Sequence, residues 1–298
     1  MTTIAERKLE LVDELVRRLQ ARFGPGIIYR LSKASPKVGA RVLSTGSLGL
    51  DRASRIGGVP RGGISVYQGS ESSGKTTLAS CLLAEGQRDG GLVALIDGEG
   101  AADPTALRAC GVDLDDVILA SPRDATEAFE MVEILVRCRA LDAVVATALP
   151  PSHPGFLARA LRRLGAWLKE APTAVVFVRG DSERVLLFAA SVVIDFQLVR
   201  PLFGPGGDLE GLRARAVVAK NRLAAPGGVA ELDVLRGRGL DRAAEALAWG
   251  EALGLVERRP QGFVWEGVFL GRSRMAAQAE LETDPELATR LAQAVRRG

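Results

Sequence analysis

The sequence predicts an α/β protein built on a mostly parallel sheet, with a phosphate-binding loop in its core, a helix–strand arm ahead of that core and a small α+β segment behind it. Three observations carry this. A Gly-rich run, Gly69-Ser70-Glu71-Ser72-Ser73-Gly74-Lys75-Thr76 with Thr77 following, lies between a strand-like alternation and a helix-forming stretch. Short continuous apolar runs then alternate with amphipathic stretches, as buried parallel strands and their crossover helices do. Finally, the composition changes on both sides of this pattern. The expected divisions are an arm over 1–38, a nucleotide-binding core over 39–236 and a small C-terminal domain over 237–298.

Bulk properties narrow the classes. A chain of 298 residues, 47% hydrophobic and 25% charged, is long enough for a large buried core. It has no apolar run of the ~18 residues that crossing a membrane requires, and its start lacks a signal-peptide core, so a cytoplasmic location without membrane contact is expected. The cysteines, Cys81, Cys110 and Cys138, are far apart in sequence and sit in apolar or helical surroundings. They are expected as buried side chains rather than as a disulfide or a metal set. His153 is the sole histidine, which leaves little for a His-based zinc site or a Ser-His-Asp triad. The net charge of +3 permits nucleic acid without demanding it.

Taken in order, Glu6 to Phe23 set Leu9, Val12, Leu15, Val16 and Leu19 on one stripe of a basic amphipathic helix. Gly24-Pro25-Gly26 ends it and Ile27 to Leu31 follows as a short strand. Up to Lys37 this arm has eight basic and four acidic residues. Ser44 to Asp51 offers capping hydroxyls before a short helix, and Gly57 to Gly63 turns into the strand Ile64 to Gln68. In the loop that follows, Gly69 and Gly74 let successive N–H groups and the helix N-terminus face phosphates. Lys75 is expected to reach the β/γ-phosphates and Thr76 to ligate Mg²⁺, so ATP or ADP with Mg²⁺ are the expected ligands.

Leu92 to Ile96 reads as a strand buried on both faces, and Asp97-Gly98-Glu99 puts two carboxylates at its C-terminal end, where open α/β sheets bind ligands. Further strands are expected at Val117–Leu119, Asp142–Ala146, Thr173–Val178, Val192–Val199, Arg215–Lys220 and Glu231–Leu235. Helices are expected over Ala125–Cys138 and Phe156–Glu170, the second with Arg159, Arg162 and Arg163 on its outer face. Gly237-Arg238-Gly239 reads as a hinge, followed by a hairpin-like stretch at Gly262 to Trp265 and a final helix from Pro285 to Arg297. This tail balances nine basic against nine acidic residues and is no electrostatic anchor for DNA.

The chain resembles the bacterial RecA recombinases over nearly its full length. The resemblance rests on Ser44–Asp51, Gly57–Gly62, Gly69–Thr77, Ile96-Asp97-Gly98-Glu99 with Asp103-Pro104, and Lys220 to Pro226, all in family order. It implies a RecA-type ATPase core, an N-terminal arm that packs on an adjacent RecA or RecA-like subunit, and a small C-terminal domain. Carried over, Glu99 is the residue that orients the attacking water and Asp103 contacts adenine, with Ala106 where an aromatic residue usually covers the base. Lys220 and Arg222 match the basic pair that reaches a neighbouring subunit's nucleotide in trans.

The departures shape the functional expectation. Thr147 stands where the family's metal-supporting aspartate should end the strand, a neutral group that gives only weak, indirect support to a hard cation. Arg179-Gly180 replaces the Asn-Gln sensor, and the two DNA-gripping loops, Ala148 to Gly155 and Arg179 to Arg184, are short and lack interleaved aromatic and basic residues. The expected function is an ATP-binding accessory of DNA repair and the SOS response with weak or no hydrolysis and weakened DNA binding. It would join or modulate RecA filaments, in role similar to the ImuA-type mutagenesis proteins, with a translesion polymerase complex as a further partner. The alternatives are an active single-stranded-DNA-dependent ATPase recombinase and a nucleotide-gated DNA-binding module without turnover.

Overall fold

The computed structural model describes residues 4–23, 42–147, 149, 152–179, 184–204 and 206–297. The chain divides into two compact units, residues 1–40 and 41–298. The described part of the first is helix α1 (Ile4–Phe23), in which Arg17 and Arg18 both pair with Glu14 and Val12 and Leu15 are exposed. The strand expected at 27–31 lies outside the described residues.

The second unit opens with β1 (Val42–Leu43), α2 (Leu48–Ser54) and β2 (Val59–Pro60), then runs through β3 (Gly63–Gly69), α3 (Lys75–Gln87), β4 (Leu92–Asp97) and α4 (Pro104–Ala109). Next come β5 (Val117–Ala120), α5 (Ala125–Arg137), β6 (Leu141–Thr147), α6 (Pro154–Leu168), β7 (Ala174–Val178) and α7 (Arg184–Ala189). The long strands β8 (Val192–Phe203) and β9 (Leu209–Asn221) lead to β10 (Val229–Leu235) and β11 (Gly239–Leu240). The chain finishes with α8 (Arg242–Ala252), β12 (Val256–Arg259), β13 (Gly262–Trp265), β14 (Val268–Gly271), α9 (Arg274–Thr283) and α10 (Pro285–Arg297).

The central sheet has the order β11-β10-β9-β8-β3-β7-β6-β4-β5. From β8 to β5 every pairing is parallel, and from β8 outwards to β11 every pairing is antiparallel. The parallel strands are apolar because they are covered twice. Along β6, Ala143 and Val145 face a layer that includes Leu78 and Leu82 of α3, while Val144 and Ala146 face a layer that includes Val132 of α5 and Leu157, Leu161 and Leu164 of α6. Fully burying one such Val or Leu side chain is worth ~1.5–3 kcal/mol, so this double layer is what holds the sheet's loops in place.

A third apolar cluster gathers Leu247, Phe263, Trp265, Leu291 and Val295 in the C-terminal segment, together with Leu48 from α2. Glu245 of α8 fastens the same junction. Its carboxylate accepts from the Ser47 hydroxyl at 2.5 Å and from the Leu48 and Gly49 amides at 3.0 and 2.8 Å, satisfying donors at the start of α2.

Three expectations need correction. Gly237 to Gly239 is not a hinge but the tight turn between β10 and β11, with φ of 69° and 74° at its glycines. A Cβ at Gly239 would lie 3.2 Å from the Ala109 carbonyl, so close packing is what demands glycine there. Cys138 is exposed, because it follows the last turn of α5 on that helix's outer side, whereas Cys81 and Cys110 are buried as expected. The hairpin-like stretch is the middle strand of a three-stranded antiparallel sheet, β12-β13-β14.

Candidate nucleotide site

The loop between β3 and α3 has the backbone that its glycines foretell. Gly69 has φ 137° and a Cβ there would fall 2.0 Å from the Phe196 carbonyl oxygen, so only glycine fits between β3 and β8. Gly74 caps α3 with φ 86°, and Ser72 adopts φ 55° between them. The Ser73 hydroxyl donates to the Ser70 carbonyl at 2.8 Å. Lys75 lies over the loop, its ammonium donating to the Ser70 carbonyl and, at 3.3 Å, to the Ser73 hydroxyl. Burial holds the Lys75 pKa below the ordinary lysine value, with Glu71 pulling the other way. An anion bound in the loop would counter that cost, as the start of a thirteen-residue helix does for phosphates. Ser70, Glu71 and Thr76 are exposed beside it.

Strand register places the neighbouring groups. Ile194, Tyr67, Val178, Thr147 and Asp97 form one row across β8, β3, β7, β6 and β4. With strands ~4.8 Å apart, Thr147 sits roughly 10 Å from the strand that carries the loop. Its hydroxyl donates weakly to the Ile96 carbonyl at 3.4 Å. Beside it, Asp97 is only 3% exposed and accepts from the Ala102 amide at 2.6 Å and from the Glu99 amide at 3.3 Å. The two carboxylates of Asp97-Gly98-Glu99 therefore have different roles, since Asp97 is a buried brace of the turn and Glu99 is exposed at the strand end.

Among the described residues, no three His, Cys, Asp or Glu side chains gather as a metal group. The donors thus fit a phosphate chain well and a protein-caged Mg²⁺ poorly. Thr76 offers one hydroxyl, where Mg²⁺ usually takes a carboxylate or two in addition to phosphate oxygens. Gly180 and residues 148, 150 and 151 lie outside the described residues; the connections from β6 to α6 and from β7 to α7 span 148–153 and 179–183. His153 serves as the N-cap of α6, its Nδ1 accepting from the Gly155 amide at 3.1 Å.

Asp103 caps α4, accepting from the Thr105 amide at 2.8 Å. Beyond it opens a cleft of about 470 Å³, lined by Thr76, Ala106 and Cys110 on one side and by Leu212, Leu235 and Arg236 on the other. Its lining is largely apolar, and it adjoins the loop at Ser72 and Thr76. A purine fits such a space, with phosphates leading back to Lys75. Sequence reasoning finds Asp103 and Ala106 but misses the far wall, whose local signal is the pair of closely spaced glycines that read as a hinge.

Lys220 and Arg222 are elsewhere. Lys220 pairs with Val193, which pairs with Val66, and Arg222 follows Asn221, the partner of Val192. Lys220 thus lies three residues before Gly69 on the register of β3, roughly 10 Å back from the loop, beside the start of β8, and the Arg222 amide donates to the Ser191 carbonyl further back. The Lys220 ammonium donates to the Leu187 and Phe188 carbonyls at 2.6 and 3.0 Å, Arg222 donates to the Phe188 carbonyl, and each cation lies 5.9 Å from the Phe188 ring. Burial, then the nearby Arg222, lowers the Lys220 pKa. Phe188 itself is 79% exposed, a residue that sequence reasoning passes over because nothing local marks it. An exposed ring held by two cations is an uncommon solvent-facing arrangement.

Comparison with known proteins agrees with this geometry. The RecA N-terminal domain family matches residues 10–241. The chain is 35% identical to Protein RecA of Heliobacterium modesticaldum over 98% of its own length and 93% of that protein's. It is 36% identical to Protein RecA of Rubrobacter xylanophilus (97% and 92% covered) and 33% identical to that of Thermus thermophilus (95% and 92% covered). Among solved structures it is similar in fold to the RadB recombinase, with a TM-score of 0.53 and 24% identity over 67% of this chain and 98% of that one.

Proposed function

The chain belongs to the RecA family, and from that premise we propose that it is an ATP-holding member of the DNA recombination and repair machinery whose bound nucleotide serves assembly more than turnover. The observation that carries this reading is that Lys220 and Arg222 are not turned onto the chain's own phosphate loop but are held on the Leu187 and Phe188 carbonyls beside the exposed Phe188 ring. On this reading the two cations serve the nucleotide of another subunit. A positive charge supplied in trans can be worth roughly 10³ to 10⁵ in rate.

On this reading the loop amides and Lys75 hold the phosphates, the cleft between Ala106 and Arg236 takes the base with Asp103 at its rim, and Thr76 supplies a hydroxyl to Mg²⁺. Thr147 supplies no charge at the position where metal support is needed, and hydrolysis is correspondingly slow. The partners are RecA or RecA-like subunits, engaged through the N-terminal arm and the Phe188 surface, and the chain joins or modulates their filaments in the damage response. A translesion polymerase complex is the further partner that such an accessory serves. The proposed domain division follows the same logic: an arm over 1–38, the nucleotide core over 39–236 and a C-terminal segment over 237–298.

A second reading, a working DNA-dependent ATPase, draws on one specific observation. Glu99 is held exposed at the strand end by Asp97, where it could orient water. The deciding experiment is ATP hydrolysis with and without single-stranded DNA, repeated with RecA added, alongside a pull-down of RecA in the presence of ATP. Slow turnover with ATP-dependent capture of RecA supports the accessory reading. Turnover that rises several-fold with DNA alone, and disappears in Lys75→Ala, overturns it in favour of the enzyme. DNA capture without turnover, with affinity falling steeply as salt rises, identifies a nucleotide-gated DNA-binding module instead.

A further inference from the structure

Behind the turn between β10 and β11 lies a second cavity, of about 330 Å³, with four arginines in its wall. It backs onto the nucleotide cleft, and Leu235 lines both. The four come from separate elements: Arg88 follows α3, Arg238 sits in the turn, Arg242 opens α8 and Arg296 lies in the last turn of α10. Leu240, Leu281, Ala288 and Ala292 give the same cavity an apolar side. Gathering like charges around one small space is unfavourable unless acceptors meet them.

The acceptors that the chain supplies are shared and loosely placed. Glu85, buried near the end of α3, lies 2.9 Å from Arg88, 3.5 Å from Arg242 and 3.4 Å from Arg296. One carboxylate thus serves three cations, and its Oε1 accepts no hydrogen bond among the described residues. The Cys110 carbonyl is hardly nearer to Arg242, at 3.4 Å. Arg296 donates to the Ser44 hydroxyl at 2.9 Å and stands 3.9 Å from Asp51. Arg238 pairs with Glu282 at 2.7 Å, and Asp241 is taken up by the Ala244 amide and the Gln278 side chain, each at 3.0 Å. A satisfied arginine looks different in this protein: Arg213 forks onto Asp233 at 2.6 and 2.7 Å, the spacing that charge-assisted pairs adopt. Since each guanidinium carries five N–H donors, the cluster has donors to spare, with Arg242 the most loosely held.

We propose that this cavity is a binding site for a small phosphate-type oxyanion, separate from the phosphate loop. A phosphoryl group offers several acceptor oxygens to forks that arrive from different directions, which one buried carboxylate cannot do. The volume falls in the range of small-ligand sites, and the apolar side accommodates an organic body attached to the phosphoryl group. Nucleic acid fits less well, because its repeated phosphates call for cations strung along a groove, whereas these converge on one concavity beside Glu282 and Asp241. No residue of the loop from Gly69 to Thr77 lines the cavity, so the site does not depend on the proposed function. An anion bound there would bridge α3, which begins at the phosphate loop, to α8 and α10 of the C-terminal segment.

The test uses the full chain carrying Lys75→Ala, which weakens the phosphate loop as a rival anion site. It is titrated with inorganic pyrophosphate by calorimetry in low-salt buffer free of phosphate. The expected result is saturable binding of one pyrophosphate per chain, weakened about tenfold or more by Arg242→Gln and by Arg238→Gln in the same background. With Lys75 restored, neither substitution should alter the affinity for a fluorescent ATP analogue. Tighter binding of glycerol 3-phosphate than of pyrophosphate would identify an organic phosphate as the ligand, and the reverse a free inorganic anion. Absence of pyrophosphate binding overturns the proposal, as does binding that survives both arginine substitutions, which assigns it to the loop amides. Loss of ATP-analogue affinity in equal proportion overturns it in favour of the nucleotide cleft, and a single-stranded oligonucleotide that binds more tightly than pyrophosphate overturns it in favour of a nucleic-acid contact. Arg238 is 58% exposed, so Arg238→Gln decides the matter even if Arg242→Gln is unstable.

Discussion

The phosphate loop and the surface around Lys220 and Arg222 differ in what they hold and in how they hold it. At the end where the parallel strands finish, a backbone cradle, a lysine turned onto its own loop and a half-buried threonine suit an anion. Beside the start of β8, two cations brace an exposed phenylalanine. One region suits a phosphate chain and the other presents charge beside an exposed ring, and under the proposed function the two complete a site only across two chains.

Substitutions can break or sharpen this contrast. The largest expected effect is from Lys220→Ala with Arg222→Ala: any turnover that depends on assembly should drop by roughly 10³, while the affinity of the isolated chain for a fluorescent ATP analogue stays unchanged. Equal loss of both would place the cations at the chain's own nucleotide and end the contrast. Lys75→Ala should do the reverse, weakening nucleotide binding in titration by about 10- to 100-fold through loss of a charge-assisted contact worth ~1.5–3 kcal/mol, with little change in melting temperature.

Thr147→Asp probes the missing metal support. Turnover with Mg²⁺ should rise by about tenfold if that support is the shortfall, measured by phosphate release; no change would move the fault to the sensor position at Arg179. The smallest effect is on pH. Burial raises Asp51 to about 7 in spite of hydrogen bonds from Ser44 and Thr45 and the nearby Arg296. The folded chain therefore binds a proton more readily than the unfolded one, and its stability should decline as pH rises from about 4 through about 7. Asp51→Asn should flatten that decline in denaturant melts; an unaltered slope would assign it to another group.

Much of this is legible in the sequence, for reasons that differ by residue. The loop from Gly69 to Thr77 is readable because its chemistry is local: glycines, a lysine and a threonine in fixed order dictate the backbone. The parallel strands are readable because double burial leaves uninterrupted apolar runs such as Val144 to Ala146. The cleft wall is not, since Leu212 and Leu235 reach it only through the pairing of β9 with β10, and no local pattern encodes a partner strand. Asp97 and Glu99 look equivalent as neighbours at a strand end. Only the turn at Ala102, which Asp97 caps, separates a brace from an exposed acid. The approach of Cys110 to α3 at Thr77 and the exposure of Phe188 likewise depend on which elements lie side by side.

The placement of Lys220 and Arg222 has a geometric corollary. A contact that brings these cations to the phosphate loop of the next chain through two different surfaces is heterologous, and repetition yields a ring or an open helical array. Such an array has polarity, and its two terminal chains are unlike: one shows an unserved phosphate loop and the other an unserved pair of cations. A slow-hydrolysing chain entering an array of faster relatives would therefore mark a single junction, and its influence would depend on which terminus it joined.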